Sequence, residues 1–492
     1  MSPSSLGHMA LVCALSLALP SCIQQRSDTS SASRRSVPSR CEKLLNYRDN
    51  HVTVLGITPS SEAHSFCKVE GVIASVPGSR VGFVLNLPAP RAWNGQLKMF
   101  GNGGYSSEMP TPLMDAAAAA GYATVATDTG HQGDDPDFVV GRPEALKDWA
   151  YRSVHVTAVA AKGLASDFYG DAPRYSYFEG CSTGGHQAFS EIQRFPEDFD
   201  GIIAGAPGYN RIRLNTAFLN QFLINHTPDD PSHPILPKDK LPLLAAASRA
   251  ACDTNLTTPY IDDPLSCHFD PGVLLCTDGT ETDNCLTEPQ VQVARAMYAG
   301  TKDPQTGKLI YPPWLPGSEA GGPVPELFPG WSLYWADPKL GDEPARQNFW
   351  RYWVFDDPDW SYVDADISAD VPFALKKLGD LVDATDADLS AFAEKGGKLL
   401  HYHGLADPVV SPLDSIAYHD AVHERLGDRS DEFYRLFLLP GVEHCGGGTG
   451  PSEFDRQAII EAWVEDNQAP DTISVRPSAA DTEPALTLTP HK

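Results

Sequence analysis

One serine of the chain lies in a pentapeptide that is typical of a nucleophile turn. Ser182 is the centre of Gly180-Cys181-Ser182-Thr183-Gly184, which fits the pattern G-x-S-x-G. The pattern alone is common, but an apolar run at 175–178 predicts a strand before it, and 186–194 has the spacing of a helix. A sharp strand-to-helix turn exposes the serine hydroxyl and directs the next backbone N–H, that of Thr183, at a developing oxyanion. The sequence therefore predicts Ser182 as a nucleophile.

A serine nucleophile needs a histidine base and a carboxylate that orients the base, and both follow Ser182 along the chain. Asp407 comes after a predicted strand at 398–403, and His444 follows a second predicted strand at 433–439. A single Asp or His is more often a surface or capping residue. Both of these follow buried-type strands, however, and the functional loops of parallel sheets gather at the carboxyl ends of strands. We therefore predict Ser182, Asp407 and His444 as a catalytic triad.

Two cysteines flank the predicted triad. Cys181 precedes Ser182, and Cys445 follows His444. A disulfide between them would hold the nucleophile and the base within reach of each other; the alternative is that both are ordinary buried thiols or pair elsewhere. Apart from the first 22 residues the chain has eight cysteines without zinc-type spacing, which favours disulfides in an oxidising compartment.

The amino-terminal residues indicate export. An apolar run at 9–20 is too short to span a bilayer and has the length of a signal-peptide core, so we interpret 1–22 as a signal peptide. A bacterial lipobox resembles the stretch Leu19-Pro20-Ser21-Cys22, although Pro20 is unusual in that motif. Lipidation of Cys22 and its absence are equal alternatives. Residues 23–40 are rich in Ser and Arg and are typical of a flexible tether. We expect a secreted or cell-envelope protein whose only membrane contact would be such a lipid anchor.

Composition excludes several classes of partner. The 492 residues include 37 basic and 64 acidic side chains, for a formal net charge of -27. This charge repels nucleic acid and anionic lipid surfaces, so we expect no nucleic-acid partner. The sequence contains no G-x-x-x-x-G-K phosphate loop. We therefore expect a small-molecule substrate, with no nucleotide involved.

Alternating predicted strands and helices indicate how the candidate residues are positioned. Strands are predicted at 81–85, 97–100 and 122–126, and helices at 155–169 and 454–467. The first helix leads directly into the strand before Ser182, which favours a parallel sheet and an α/β fold. The pattern dissolves after about residue 210 and resumes near 388. The sequence therefore predicts a catalytic core formed by 41–210 and 385–492, with 211–384 inserted as a lid domain.

Several short motifs, spread over nearly the whole mature chain, are shared with one enzyme family. They are Gly101-Asn102-Gly103-Gly104, Thr127-Asp128-Thr129-Gly130-His131, Glu179 to Gly185, Gly404 to Pro408, Gly441 to Gly446, and Phe355-Asp356-Asp357-Pro358-Asp359-Trp360. On these motifs the chain resembles the tannase and fungal-type feruloyl esterase family, which also includes bacterial mono(2-hydroxyethyl) terephthalate hydrolases. The Cys-Ser and His-Cys pairs are the most distinctive part of the resemblance.

The resemblance implies an α/β-hydrolase core with a mainly parallel, doubly wound sheet, a large lid and a Cys181–Cys445 disulfide. It implies that Gly103 or Gly104 supplies a second oxyanion N–H beside that of Thr183; without it, the glycine-rich turn could equally be a plain loop. The remaining pairs are expected to be Cys41 with Cys67, Cys252 with Cys267 and Cys276 with Cys285. No redox cofactor is required.

Family members commonly hold a structural calcium inside a disulfide loop of the lid, and here the sequence departs from the family. Between Cys252 and Cys267 the loop keeps Asp253 and Asp262, but its central carboxylates are missing. Calcium binds six to eight oxygen ligands, and too few are charged here. We expect no tight calcium site, although Asp253 and Asp262 would be its ligands.

The lid contains many aromatic residues that could stack on a planar acyl group, although most are expected to form its core. We assign substrate binding to Phe355, to Arg351, which precedes it by four residues and shares its face if this stretch is helical, and to His403 beside Asp407. A structural ion pair of Arg351 with a nearby acid is an equal alternative.

The resemblance and the triad together predict a serine carboxylic ester hydrolase that cleaves esters of aromatic, phenolic acids through an acyl-enzyme on Ser182, as a feruloyl esterase or tannase does. One alternative is a mono(2-hydroxyethyl) terephthalate hydrolase, since the triad does not distinguish these esters. A non-enzymatic phenolic- or carbohydrate-binding protein on the same fold is the second alternative, and the intact triad argues against it.

Overall fold

The computed structural model describes residues 37–59, 65–253, 258–277, 280–322, 330–333, 346–477 and 485–492. The predicted signal peptide, Cys22 and most of the predicted tether lie outside the described residues, and the tether's last residues begin helix α1 (Val37–Lys43). Within the described part of the chain, no helix is long and apolar enough to cross a membrane.

One mixed sheet of nine strands organises the described residues. Its strands are β1 (Val52–Thr58), β2 (Phe66–Ile73), β3 (Val81–Pro88), β4 (Gln96–Phe100), β5 (Ala123–Thr127), β6 (Tyr175–Cys181), β7 (Gly201–Gly205), β10 (Lys398–Gly404) and β11 (Tyr434–Leu439). Their order across the sheet is β1-β2-β3-β5-β4-β6-β7-β10-β11. From β5 to β11 neighbouring strands are parallel, whereas β1, β2 and β3 extend the sheet in antiparallel pairs. The predicted mainly parallel α/β sheet is confirmed.

Helices cover both faces of this sheet. They are α2 (Thr111–Ala119), α3 (Pro143–Lys147), α4 (Ser153–Tyr169), α5 (Thr183–Arg194), α10 (Ser390–Glu394), α11 (Pro412–Leu426) and α12 (Arg456–Asp466). Successive strand residues point to opposite faces, so Phe178 packs with α4, α5 and α11, while Tyr177 packs with α12. The sheet is therefore doubly wound, and both helices predicted at 155–169 and 454–467 are present.

The segment between β7 and β10 adds no strand to the main sheet within its described residues. It contains α6 (Arg211–Asn225), α7 (Leu241–Cys252), α8 (Glu288–Ala299), α9 (Ile367–Val382), the short pair β8 (Thr301–Lys302) and β9 (Leu309–Tyr311), and a π-helix at Phe349–Phe355. After α12, β12 (Ile473–Val475) pairs with β13 (Leu486–Leu488).

Two apolar clusters join this segment to the rest of the molecule. One unites Tyr105, Phe138 and Trp149 with aromatic residues of the π-helix and with α9. This cluster also includes one side of α6. The other cluster packs the opposite side of α6 against α7, α8, Val409 and Val410. These two valines closely follow Asp407. Residues from Val37 onward therefore form a single compact unit, and the division into a core and a lid domain of 211–384 stays a prediction.

Four disulfides join the pairs that the sequence analysis expected. They are Cys41–Cys67, Cys181–Cys445, Cys252–Cys267 and Cys276–Cys285. Such a set is typical of a protein that is exported to an oxidising compartment. The protein is therefore an extracytoplasmic one, in agreement with the interpretation of its amino-terminal residues.

Candidate active site

Ser182 lies at the turn between β6 and α5, where the predicted strand and helix meet. Its backbone has φ 62° and ψ -116°, a conformation that side-chain-bearing residues rarely adopt. The turn is closed by backbone packing, because a Cβ on Gly180 would come within 2.6 Å of the Gly184 backbone and one on Gly185 within 2.6 Å of the Gly205 carbonyl oxygen. The small residues around Ser182 thus permit a strained turn that presents its side chain at the end of the sheet.

Asp407 and His444 form a buried pair at the ends of β10 and β11. The carboxylate Oδ2 of Asp407 accepts a hydrogen bond of 2.7 Å from Nδ1 of His444. Asp407 is fully buried, and His444 is 4% exposed. Because a carboxylate can only accept, Nδ1 carries the proton, and this tautomer leaves Nε2 as the basic nitrogen of the imidazole.

Hydrogen bonds keep the Asp407 carboxyl ionised in spite of its burial. Oδ1 accepts from the backbone N–H groups of Val409, at 2.7 Å, and Val410, at 2.9 Å. Oδ2 accepts from His444 and also from Nε2 of His403, at 3.1 Å. Burial by itself would raise the pKa of Asp407, but His444 and His403 more than offset it, so that the pKa is lowered. The carboxylate can therefore orient His444 and stabilise its charged form.

His403 belongs to a buried chain of hydrogen bonds behind Asp407. Nε2 of His403 is also 3.0 Å from the Val410 carbonyl oxygen, so this nitrogen must be the donor. Nδ1 of His403 then accepts from the Ser415 hydroxyl at 2.7 Å, and Ser415 accepts from Nε2 of His401 at 2.9 Å. The Tyr434 hydroxyl completes the chain by donating to Nδ1 of His401 at 2.8 Å.

This chain corrects the assignment of His403 to substrate binding. Its side chain is fully buried, and both ring nitrogens contact protein atoms. Sequence position alone had placed it beside Asp407, but its strand, β10, directs the ring away from solvent. His403 therefore positions Asp407 and does not contact substrate.

The Cys181–Cys445 disulfide joins the residue before Ser182 to the residue after His444, with the two Cα atoms 5.8 Å apart. These cysteines are separated by 264 positions in the chain. The cross-link thus fastens the loop of His444 to the turn of Ser182. Cys445 itself has φ 67°, so this loop too has an unusual backbone conformation.

The glycine-rich turn after β4 lies beside Ser182. Gly104 lines the same pocket as Ser182 and Thr183, whereas Gly103 does not line it. The Asn102 side-chain amide holds the turn by donating to the carbonyl oxygens of Thr127, at 2.9 Å, and Glu108, at 3.0 Å. Thr183 is the first residue of α5, where the N–H has no acceptor within the helix. Of the two glycines, Gly104 is the better placed for an oxyanion site with Thr183.

Two arginines that the sequence analysis did not select also line this pocket. Arg211 is 7% exposed, and its guanidinium donates a hydrogen bond of 2.9 Å to Oγ1 of Thr183 and lies 5.1 Å from the centre of the Trp149 ring. Arg346 lies 5.4 Å from the centre of the Tyr105 ring. Arg211 closely follows β7, and the rule that places functional loops at carboxyl ends of strands could have found it. Arg346 had no comparable signal.

Arg351 and Phe355 lie elsewhere. Neither is among the residues described as lining the Ser182 pocket. Arg351 donates to the Trp360 carbonyl oxygen at 2.9 Å and to Oδ1 of Asn348 at 3.0 Å, while Phe355 packs against the rings of Trp360 and Phe373. The stretch that contains both residues is a π-helix. These contacts favour a structural role, although for Arg351 they are hydrogen bonds instead of the ion pair considered above.

The described residues of the Cys252–Cys267 loop, 252–253 and 258–267, do not fit a calcium site. Asp253 is buried and lies 3.7 Å from Nε of Arg249, whose guanidinium also donates to the Thr258 carbonyl oxygen. Asp262 is exposed and accepts from the Thr258 hydroxyl at 3.3 Å. Among the described residues, Asp253 and Asp262 belong to no group of three metal-ligating side chains. A guanidinium already lies where a cation would neutralise Asp253.

Known proteins match most of the length of this chain. Residues 67–489 match the family described as tannase and feruloyl esterase. The chain is 34% identical to an uncharacterised esterase of Xanthomonas campestris, over 88% of this chain and 80% of the relative. It is 32% identical to a probable feruloyl esterase B-2 of Aspergillus terreus, over 85% of this chain and 80% of the relative.

Solved structures agree with these relatives. The crystal structure of feruloyl esterase B from Aspergillus oryzae has a TM-score of 0.82 and 26% identity, over 93% of this chain and 96% of that one. Tannin acyl hydrolase from Aspergillus niger, at 23% identity and a TM-score of 0.72, covers 90% of this chain and 87% of its own and shows the same fold. The fold is thus that of an α/β-hydrolase. The chain belongs to the tannase and feruloyl esterase family and is a carboxylic ester hydrolase.

Proposed function

We propose that the enzyme hydrolyses esters of aromatic, phenolic acids through an acyl-enzyme on Ser182. The observation that carries this proposal is the buried Asp407–His444 pair, 2.7 Å apart and cross-linked through Cys445 to the residue before Ser182. Few other arrangements of side chains require a strained serine, a histidine held through Nδ1 and an ionised buried carboxylate together.

The proposed reaction has two steps. In the first, Nε2 of His444 takes the hydroxyl proton as Oγ of Ser182 attacks the ester carbonyl; the same proton then passes to the leaving alcohol as its C–O bond breaks. In the second, Nε2 of His444 takes a proton from water as the water oxygen attacks the acyl carbonyl; His444 then gives this proton to Oγ of Ser182 as the bond between Oγ and the acyl carbon breaks and the acid leaves. The N–H groups of Thr183 and Gly104 would stabilise the oxyanion in both steps. These steps require no redox cofactor or nucleotide.

The pocket residues support an acyl group that is aromatic and carries electron-rich oxygens. Tyr105 and Phe218 supply aromatic surface, while Arg211 and Arg346 supply guanidinium groups that suit a phenol or a carboxylate. The similar proteins are named feruloyl esterase B and tannin acyl hydrolase, and both names refer to the hydrolysis of esters of phenolic acids. A lipid on Cys22 would anchor the exported enzyme to a membrane.

The first experiment measures hydrolysis of methyl ferulate, a gallate ester and mono(2-hydroxyethyl) terephthalate by the parent enzyme and by the Ser182→Ala variant. We expect at least one ester to be cleaved and the rate to fall by about 10⁴-fold or more in the variant. Ser166→Ala is the matched control, because the Ser166 hydroxyl donates to the carbonyl oxygen of Lys162 in its own helix α4.

The outcomes separate the parts of the proposal. A parent enzyme that is inert on all three esters refutes the aromatic-acid substrate class. Activity that survives in Ser182→Ala, at a rate close to that of Ser166→Ala, refutes Ser182 as the nucleophile. Mass spectrometry after reaction with an aryl phosphonate should find the label on the peptide that contains Ser182.

A further inference from the structure

Three potential metal ligands meet where the carboxyl-terminal segment returns to the core. His419 and Asp420 lie on α11, and His491 lies beyond β13 near the end of the chain. The backbone N–H of His491 donates to the Leu436 carbonyl oxygen of β11 at 2.7 Å, which fixes this segment against the sheet. No other group of three His, Cys, Asp or Glu side chains with this closeness occurs among the described residues.

The distances suit a single small cation. Oδ1 of Asp420 lies 3.6 Å from Nδ1 of His419 and 3.6 Å from Nε2 of His491, and one ligand atom from each residue lies within 4.8 Å of the others. Two ligands that are each about 2.1 Å from a tetrahedral zinc ion are roughly 3.4 Å apart. The two distances to Asp420 are thus already near the spacing that coordination requires.

A buried nitrogen without a hydrogen-bond partner supplies an independent reason. His419 is 4% exposed, and its Nδ1 is fully buried without such a partner. A buried polar atom of this kind is costly unless a partner satisfies it. The buried Nδ1 of His419 lies only 3.6 Å from Oδ1 of Asp420, so a cation between them would give this nitrogen a partner.

The surroundings are consistent with a cation. Asp420 is exposed, with 59% of its side chain accessible, so solvent can supply a further ligand. On the inner side, the Tyr434 ring packs edge-on against His419 at 5.0 Å between ring centres. One side of the group is therefore closed by protein and the other is open.

We propose that His419, Asp420 and His491 form a binding site for a divalent transition metal of the zinc type. Two imidazoles and one carboxylate match zinc, copper or nickel far better than calcium, which prefers oxygen ligands. A water molecule would complete a tetrahedral site. The metal would fasten the end of the chain to α11, and it takes no part in the ester hydrolysis proposed above.

The test titrates zinc into tag-free, metal-stripped enzyme. Isothermal calorimetry measures the stoichiometry and the Kd, and the melting temperature is measured with and without zinc. We expect one zinc per chain and, at about 100 times Kd, a melting temperature about 2 °C higher. Cobalt bound at the same site should show visible absorption of a low-symmetry site. Calcium in the same titration should give neither signal.

His491→Gln and Asp420→Asn should each weaken zinc binding at least about tenfold, since the loss of even an outer partner of a ligand costs about 10- to 100-fold. Both positions are outside the sheet, so these variants are expected to fold, and ester hydrolysis reports that they do. His233→Gln is the matched control, because His233 and Asp230 form an exposed pair, 2.8 Å apart, without a third ligand. The proposed site is wrong if the parent enzyme does not bind zinc stoichiometrically, if all variants bind zinc equally well, or if calcium competes with zinc.

Discussion

Asp407 is the residue on which the most buried polar contacts of the site converge. It accepts four hydrogen bonds, and the one from His403 is set by the Val410 carbonyl oxygen, which forces Nε2 of His403 to be the donor. That one constraint determines the donor and the acceptor in each hydrogen bond of the series from His403 through Ser415 and His401 to Tyr434. His403 is therefore a positioning residue for Asp407.

Replacing His403 by leucine should lower kcat about tenfold or more and leave KM nearly unchanged. The physical reason is the loss of a hydrogen bond to an ionised group, worth about 1.5–3 kcal/mol, that holds Asp407 against His444. Steady-state kinetics with the preferred ester measure both constants.

The conservative variant His403→Gln is the control, because its side-chain amide can still donate to Asp407. We expect it to recover part of kcat. If His403→Leu keeps full kcat in correctly folded protein, or if His403→Gln is no better than leucine, then His403 only fills space.

At the scale of elements, the site depends on two strand ends and the cross-link between their loops. β6 presents Ser182, and β11 leads to His444, but these strands are not neighbours in the sheet, since β7 and β10 lie between them. The Cys181–Cys445 disulfide spans this distance through the loops above the sheet. Its main effect should therefore be on geometry at the site.

The double variant Cys181→Ala/Cys445→Ala should lose kcat/KM by about 100-fold at a temperature where it remains folded, because displacement of a reacting group by about 1 Å costs that much. The double variant Cys276→Ala/Cys285→Ala is the control; its cysteines are only 9 positions apart and lie in the segment between β7 and β10.

Circular dichroism and the melting temperature establish that both double variants are folded before the rates are compared. Some loss of stability is expected in each, since removing a disulfide typically costs about 2–5 kcal/mol. A fully active Cys181→Ala/Cys445→Ala enzyme would show that packing alone holds Ser182 and His444 together.

At the scale of the whole molecule, the segment between β7 and β10 is held to the sheet beside the site. Besides the two shared apolar clusters, Oε1 of Glu443, the residue before His444, accepts a hydrogen bond of 2.6 Å from the Gly322 N–H. Burial raises the pKa of Glu443 to about 7, and the Asp407 carboxylate contributes to the rise. The folded protein therefore keeps a proton that the unfolded chain loses.

This raised pKa predicts a pH dependence of stability. An acid whose pKa is higher in the folded state lowers stability as the pH rises from its unfolded pKa, 4.5, to its folded pKa, about 7. Glu443→Gln cannot ionise, so across this range the variant should gain up to roughly 3 kcal/mol relative to the parent enzyme. Urea unfolding at pH 4.5, 6 and 7.5 measures the difference.

Glu453→Gln, a change at an exposed glutamate, is the control and should follow the parent enzyme. Parallel stability profiles of the parent and Glu443→Gln over this pH range would mean that Glu443 ionises normally in the folded protein.

The sequence by itself determined what depends on neighbouring residues. Short apolar runs predicted the strands at 81–85 and 398–403, and helical spacing predicted the helix at 155–169. The motif around Ser182 and the chain order of Asp407 and His444 predicted which side chains to examine. These patterns are readable because a strand, a helix or a tight turn is specified by residues within a few positions of each other.

Only the tertiary structure decided what depends on residues that are distant along the chain. It turned His403 from a substrate ligand into a partner of Asp407, placed Arg211 and Arg346 at the pocket instead of Arg351 and Phe355, and brought His491 to His419 and Asp420. The direction of a side chain from a strand end and the meeting of remote segments follow from how the whole sheet and its covering helices pack. Local spacing carries no record of that packing.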